Sequence, residues 1–180
     1  MLAPTIPIFP LPNVVLFPGV PLPLHVFEPR YRAMVEAARA SHRTIGMVLL
    51  RAGWEPDYAG RPAVYPVGCA GRMDQCDLLP DGRFNIVLRG LGRFRVHRED
   101  HSRSYRLAHV ESLADPLPDE DRETLHDERR RLETLLVPLV EGGESQIPRN
   151  LPDDHLVNAL AQCLDLEAIE QLESALEGYD

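Results

Sequence analysis

P-T-I-P-I-F-P-L-P-N-V-V-L-F-P-G-V-P-L-P-L-H-V-F-E-P, running from Pro4 to Pro29, decides how this chain folds. The first 27 residues carry no formally charged side chain, so by hydropathy alone the stretch resembles a spanning or secretory helix. Its eight prolines forbid that. Each proline inside a helix removes a backbone donor and collides with the preceding turn, at a cost of about 3 kcal/mol. No basic n-region precedes the stretch and no small-residue cleavage site follows it, so no leader is expected. The remaining reading is a set of short extended pieces that bury Ile6, Ile8, Val14, Val15, Leu16, Val20, Leu22 and Leu24 between turns. Proline in a sheet belongs at edges, strand starts and bulges. The segment is therefore expected to wrap around a barrel or sheet rather than run through its middle.

Downstream, Glu28-Pro29-Arg30-Tyr31 opens a helical pattern to about Ala40, with Pro29 at the first helical position and Glu28 at the positive end of the dipole. Tyr31, Met34, Val35 and Ala38 recur at three-to-four spacing and are expected to face a core. Thr44–Leu50 reads as a strand, and residues 51–62, with two glycines and two prolines around Trp54 and Tyr58, as a loop. Extended pieces are expected over Val64–Arg72, Met73–Leu79, Phe84–Leu88, Phe94–His97 and Tyr105–Val110. Pro80-Asp81-Gly82 turns the chain, proline presetting the first corner and glycine accepting positive φ. Gly90-Leu91-Gly92 reads as another reversal. This is a meander of short strands, not the strand–helix alternation of a doubly wound sheet.

Asp115-Pro116-Leu117-Pro118-Asp119 marks a boundary. Beyond it the pattern is helical: a leucine stripe over residues 119–140, a helix carrying Leu156, Leu160, Ala161 and Leu164, and a last one carrying Ile169, Leu172 and Leu176. Charge divides at the same place. Residues 1–110 hold fourteen arginines against nine acids, whereas residues 111–180 hold five against nineteen, within a net −9. Such asymmetry predicts two structural units. The expected class is α+β: a barrel subdomain of mainly antiparallel strands with one inserted helix over 1–114, then a helical subdomain packed on it over 115–180.

Composition removes several chemistries. Every one of the nineteen basic residues is arginine, so no lysine exists to serve a P-loop, a Schiff base or a Ser–Lys dyad. Cys69, Cys76 and Cys163 form no C-x-x-C pair and read as buried thiols of a cytoplasmic protein. On one continuous strand, the odd separation of Cys69 and Cys76 would place them on opposite faces. Gly143-Glu144-Ser145-Gln146-Ile147 lacks the second glycine of a nucleophile elbow, and Gly90-Leu91-Gly92-Arg93 lacks the third glycine of a dinucleotide loop. His97 and His101 are given no third ligand by spacing. The reading assigns no catalytic residue, no metal and no cofactor. The arginines from Arg83 to Arg106 are the one charged candidate. Arg89, Arg93, Arg95 and Arg98 could hold RNA phosphates on adjacent hairpins; the alternative is salt bridges or solvated strand faces, which the net negative charge and scarce aromatics favour.

The run Ile8-Phe9-Pro10-Leu11-Pro12-Asn13-Val14-Val15-Leu16-Phe17-Pro18-Gly19, continued by Pro21 to Tyr31, resembles the opening of the N-terminal domain of ATP-dependent Lon proteases. Val67-Gly68-Cys69-Ala70, Leu79-Pro80-Asp81-Gly82-Arg83-Phe84 and Leu88-Arg89-Gly90-Leu91-Gly92-Arg93-Phe94-Arg95-Val96 resemble later strands and hairpins of that domain, and Leu156 to Ala161 its first helix after the barrel. The resemblance implies a PUA-like β-barrel followed by a helical bundle, and a role in recognising polypeptides rather than cutting them. Downstream ATPase and peptidase domains are not matched, so a stand-alone recognition module is expected. Its partners would be exposed apolar segments of unfolded polypeptides, with a protease or chaperone acting beside it; nucleic acid and membrane are disfavoured. Leu16, Phe17, Pro18, Trp54 and Tyr58 are the candidate apolar contact residues, although Phe17 and Trp54 could equally cap the barrel core.

Overall fold

The computed structural model describes residues 2–114, so the helices expected beyond Asp115, together with Cys163 and Ser145, lie outside the described residues. Six strands and one α-helix follow in the order β1 (Thr5–Leu11), β2 (Pro21–Val26), α1 (Pro29–Arg39), β3 (Thr44–Leu50), β4 (Val64–Leu78), β5 (Phe84–Asp100) and β6 (Arg106–Ser112), with a 3-10 turn at Glu55–Asp57. The sheet order is β2-β5-β4-β3-β1-β6, and β5 also pairs with β6. That last pairing closes five strands into a barrel, with β2 attached outside it. All neighbours are antiparallel except β1 and β3.

The long strands are where the structure departs from expectation. Val64–Arg72 and Met73–Leu79 form one strand, and Phe84–Leu88 and Phe94–His97 another of 17 residues. Gly90-Leu91-Gly92 does not reverse the chain. Ala70 pairs with Gly92 and Gly71 with Gly90, so Leu91 is the extra residue of a β-bulge inside β5. The bulge bends the β4–β5 hairpin, letting its two ends serve different cores. Near the hairpin tip, β2 and the first half of β5 lie under α1, with Tyr31, Met34, Val35 and Ala38 all buried. In the barrel, Phe94 fills the interior among Ile6, Ile8, Val48, Ala70 and Ala108. A Cβ on Gly68, which faces this ring, would come 2.2 Å from the Met47 carbonyl oxygen, so only glycine fits there. β3 contributes Ile45 and Met47 to one core and Val48 to the other. Burial on both faces explains why T-I-G-M-V-L-L does not alternate.

A second bulge corrects the cysteine reading. Met73 pairs with Leu88 and Gln75 with Val87, leaving Asp74 as an extra residue in β4. The extra residue inverts the face parity, and Cys69 and Cys76 both contact the core under α1. Burial pushes the Cys69 thiol up to about 12.

The prolines of β1 need a correction too, because β1 lies between two neighbours rather than at an edge. It pairs with β6 through Thr5–Ile8 and with β3 through Ile8–Leu11. The Pro4 carbonyl accepts from the Val110 N–H, so even-numbered residues face β6 and odd-numbered ones β3. Pro10 therefore faces β6 beyond the end of that ladder, and Pro7 faces β3 before that ladder begins. Each missing donor falls where no partner strand needs it. In β2 the same logic protects an open edge. The Val20 carbonyl accepts from Gly90 N–H, which puts Leu22, Leu24 and Val26 toward β5 and Pro21, Pro23 and His25 outward. Among the described residues no strand pairs with that outer edge, and the His25 N–H is the one β2 donor it offers, which disfavours strand addition there.

Candidate functional site

The apolar candidates fall into two groups attached to different elements. Val14–Val20 crosses the outside of the sheet, and its Leu16 and Phe17 are each 2% exposed. Pro18 bridges to Gly90, and a Cβ on Gly90 would come 2.0 Å from the Phe17 carbonyl oxygen. Leu16 and Phe17 thus pack as core residues, and Val14, Pro18 and Gly19, all half-buried, are the parts of the segment that meet solvent.

Trp54 and Tyr58 are both half-buried, and their rings meet edge to face with centroids 5.4 Å apart. Two residues read from sequence only as a helix start hold Tyr58 and the backbone that follows it. Arg30 sits over the Tyr58 ring at 5.2 Å and over the Tyr31 ring at 4.6 Å. Its guanidinium donates to the carbonyls of Tyr58 at 3.0 Å, Gly60 at 3.2 Å and Ala59 at 3.3 Å. Glu28 receives Arg30 Nε at 3.0 Å on one oxygen and the Tyr58 hydroxyl at 2.6 Å on the other. Glu28 makes no side-chain cap bond to the helix, being committed to this latch. Burial and the bond to Glu28 raise the Tyr58 phenol, and burial pushes Tyr31 up to about 12, so both stay neutral hydroxyls in the physiological range. The loop's far end is fixed by Arg106, which is 6% exposed, pairs with both oxygens of Glu99 and donates to the Pro62 carbonyl at 2.8 Å. A spacing argument could not find this latch, because Glu28 and Arg30 lie some thirty residues from the loop they hold.

The arginine hairpins do not form one patch. Arg83 pairs with Asp81 at 2.6 Å, Arg89 with Asp74 at 2.7 Å, and Arg106 is spent on Glu99. Arg93 is half-buried, while Arg95 and Arg98 are exposed. Arg93 and Arg95 stand opposite Cys69 and Val67 on β4, whereas Arg98, beyond a third bulge at His97, stands opposite His109 on β6. His97 Nε2 lies 3.0 Å from Glu111. Among the described residues, no group of three or more His, Cys, Asp or Glu side chains is arranged to hold a metal ion, and no helix is long and apolar enough to cross a membrane.

Known proteins match this arrangement. The family model described as the ATP-dependent protease La (LON) substrate-binding domain covers residues 5–173. Lon protease 2 of Myxococcus xanthus is 28% identical over 97% of this chain and 22% of its own length. A Lon protease of Cytophaga hutchinsonii is 32% identical over 63% of this chain and 14% of its own. The chain thus spans under a quarter of the curated relatives it matches. Among solved structures, the N-terminal domain of a Mycobacterium avium complex Lon protease superposes with a TM-score of 0.57 at 15% identity, covering 96% of both chains. A Lon N-terminal domain protein from Xanthomonas campestris superposes with 0.53 at 25% identity, with the same coverage. The mainly β architecture with its single described helix is shared with these domains, and with a match over residues 5–173 the chain belongs to the family of Lon substrate-binding domains.

Proposed function

We propose that this chain is a non-catalytic, cytoplasmic module that captures exposed apolar segments of polypeptides, using Leu16, Phe17 and Pro18 on one segment and Trp54 and Tyr58 on another as its apolar contact residues. The carrying observation is membership of a substrate-binding domain family across residues 5–173. Its support at residue level is the half-exposed aromatic pair, in which Tyr58 is held by Arg30 and Glu28 and Trp54 packs edge to face on it, so less side-chain entropy remains to be lost on binding. In this reading the barrel is PUA-like, residues 115–180 form a helical subdomain against it, no cofactor is required, and a protease or chaperone receives the captured chain. Because Pro21 and Pro23 disfavour pairing along the β2 edge, capture at these residues proceeds through side chains rather than through a strand added there.

The test is fluorescence anisotropy of a labelled, permanently unfolded protein titrated with the full chain. Saturable binding that falls about tenfold in Trp54→Ala, with an unchanged thermal midpoint, is the expected result. Absence of saturable binding by the wild-type chain overturns the proposal. The alternative reading, RNA held by Arg89, Arg93, Arg95 and Arg98, is less favoured because Arg89 is engaged by Asp74 and the other three are spread over two strand pairings rather than gathered in one patch.

A further inference from the structure

Where β3 leaves β4, the sheet gains an edge unlike the one at β2. The β3–β4 ladder ends with Thr44 opposite Arg72. One residue further on, the Met73 N–H donates to the Arg43 carbonyl at 2.7 Å, and the Met73 carbonyl accepts from Arg43 Nε at 3.0 Å. Arg43, in the left-handed region at φ 54°, thus stands in for a strand partner and closes that ladder. From Asp74 to Leu78, β4 pairs with β5 alone.

The direction of the main-chain groups along this stretch is set at the hairpin tip. The Leu79 N–H donates to the Arg83 carbonyl at 2.8 Å, which turns Leu79, Asp77 and Gln75 toward β5. Cys76 and Leu78 therefore point their N–H and C=O groups away from β5, and among the described residues nothing is hydrogen-bonded to them there. No proline lies between Arg72 and Leu79, whereas Pro21 and Pro23 occupy the outward positions of β2. Side chains tell the same story. Cys76 packs against the core under α1, and Leu78, two residues on, shares its face yet is 58% exposed. Leu78 stands opposite the buried Phe84 on β5 and has no strand on its other side to cover it.

We propose that the Asp74–Leu78 edge of β4 takes an extended segment of a captured polypeptide as an added strand, which exchanges main-chain hydrogen bonds with Cys76 and Leu78 and lays an apolar side chain over Leu78. The backbone chemistry selects this occupant. The two residues repeat a donor and an acceptor every second position, about 7 Å apart along the strand. An extended polypeptide presents the complementary groups at that spacing, whereas a phosphodiester or a lipid headgroup offers acceptors without alternating N–H donors. Apolar side chains on alternate residues are what the exposed Leu78 adds to the requirement. That the segment belongs to a captured polypeptide rests on the proposed function; that it binds as a strand rests on the edge.

The experiment uses the full chain and a labelled octapeptide alternating valine with threonine, a composition that favours extended backbone. In the chain alone the Cys76 and Leu78 amides should exchange with solvent freely, and saturating peptide should slow both at least about tenfold. A fully N-methylated peptide with the same side chains has no donor to offer and should bind at least about tenfold more weakly. Leu78→Pro removes an N–H that β5 does not use, and Leu78→Lys keeps the N–H but sets a charge on the edge. Each is expected to weaken peptide binding about tenfold with the thermal midpoint unchanged, and the lysine variant carries the test if the proline one unfolds. No saturable peptide binding, equal binding of the N-methylated peptide, or wild-type affinity in the folded variants overturns the site. So does protection of both amides in the chain alone, since a second copy or residues 115–180 would then cover the edge. The two proposals fail separately. A chain that captures unfolded protein without peptide-dependent protection keeps the apolar surface and loses the edge. Trp54→Ala should leave the octapeptide bound.

Discussion

The two ends of the β4–β5 hairpin use the same pair of strands in opposite ways. Toward its tip, β5 pairs with β2 and buries Phe84, Ile86 and Leu88 under α1. Beyond the Leu91 bulge, the same strand pairs with β6 and sends Phe94 into the barrel. One end is covered by a helix and the other by its own sheet rolled up. The lesson concerns the bend. A bulge and its flanking glycines let one hairpin belong to two cores, and the bent region is also where an apolar side chain, that of Leu91, is left exposed.

If the two cores are separate cooperative units joined at the bulge, they should respond differently to a hole in one of them. Phe94→Ala is expected to cost about 3–5 kcal/mol, measured by urea denaturation. Hydrogen exchange should then quicken in β1 and β6 before it does in α1 and β2. Uniform quickening throughout would mean that the hairpin transmits the loss and that the two ends form a single unit.

Arg106→Ala should come next, at about 3 kcal/mol, because it leaves the Glu99 carboxylate only the longer contact with Arg61 at 4.0 Å and frees the Pro62 carbonyl. Replacing both partners, as Arg106→Met with Glu99→Leu, should recover most of that stability in a denaturation series. If the double variant is as unstable as the single one, the pair contributes more than charge compensation.

On the helix-covered side, Tyr58→Phe removes only the bond to Glu28. The expected loss is about 1–2 kcal/mol. Trp54 is the chain's single tryptophan, so its emission reports on the loop directly. A red shift together with faster proteolysis across residues 51–60 is expected, with the barrel unaffected.

The smallest effect belongs to the bend itself. Bonds from Arg89 and Arg72 hold the Asp74 carboxyl below the usual carboxylate range. A depressed folded value means that its stabilisation is present above the unfolded value of about 3.9 and is lost as pH falls through the folded one. Wild type and Asp74→Asn should therefore differ slightly at neutral pH and converge in acid, as followed by thermal unfolding across an acid series. A gap that widens in acid would contradict that assignment.

Much of this was written locally. Tyr31, Met34, Val35 and Ala38 share a helical face by spacing alone, and the structure buries those four residues. Thr44–Leu50 and the Pro80-Asp81-Gly82 turn, with Gly82 at φ 81°, were equally legible, because propensity and turn chemistry act over a few residues. The family motif is local as well, being a proline-punctuated run that few folds tolerate. The candidate surface was less legible. Spacing left Leu16 and Phe17 open to both a core and a contact role, and only the packed structure buries them.

What the sequence determined alone is local: prolines exclude a helix at the start, and ordered motifs name the family. Tertiary structure alone decided that Gly90-Leu91-Gly92 bends a strand rather than ending it, since a bulge is defined by its partner's register. It also decided that β1's prolines can lie inside a barrel, and that Arg30 and Glu28 hold a loop thirty residues away. Each of these depends on which distant backbone stands opposite, and local spacing carries no such information.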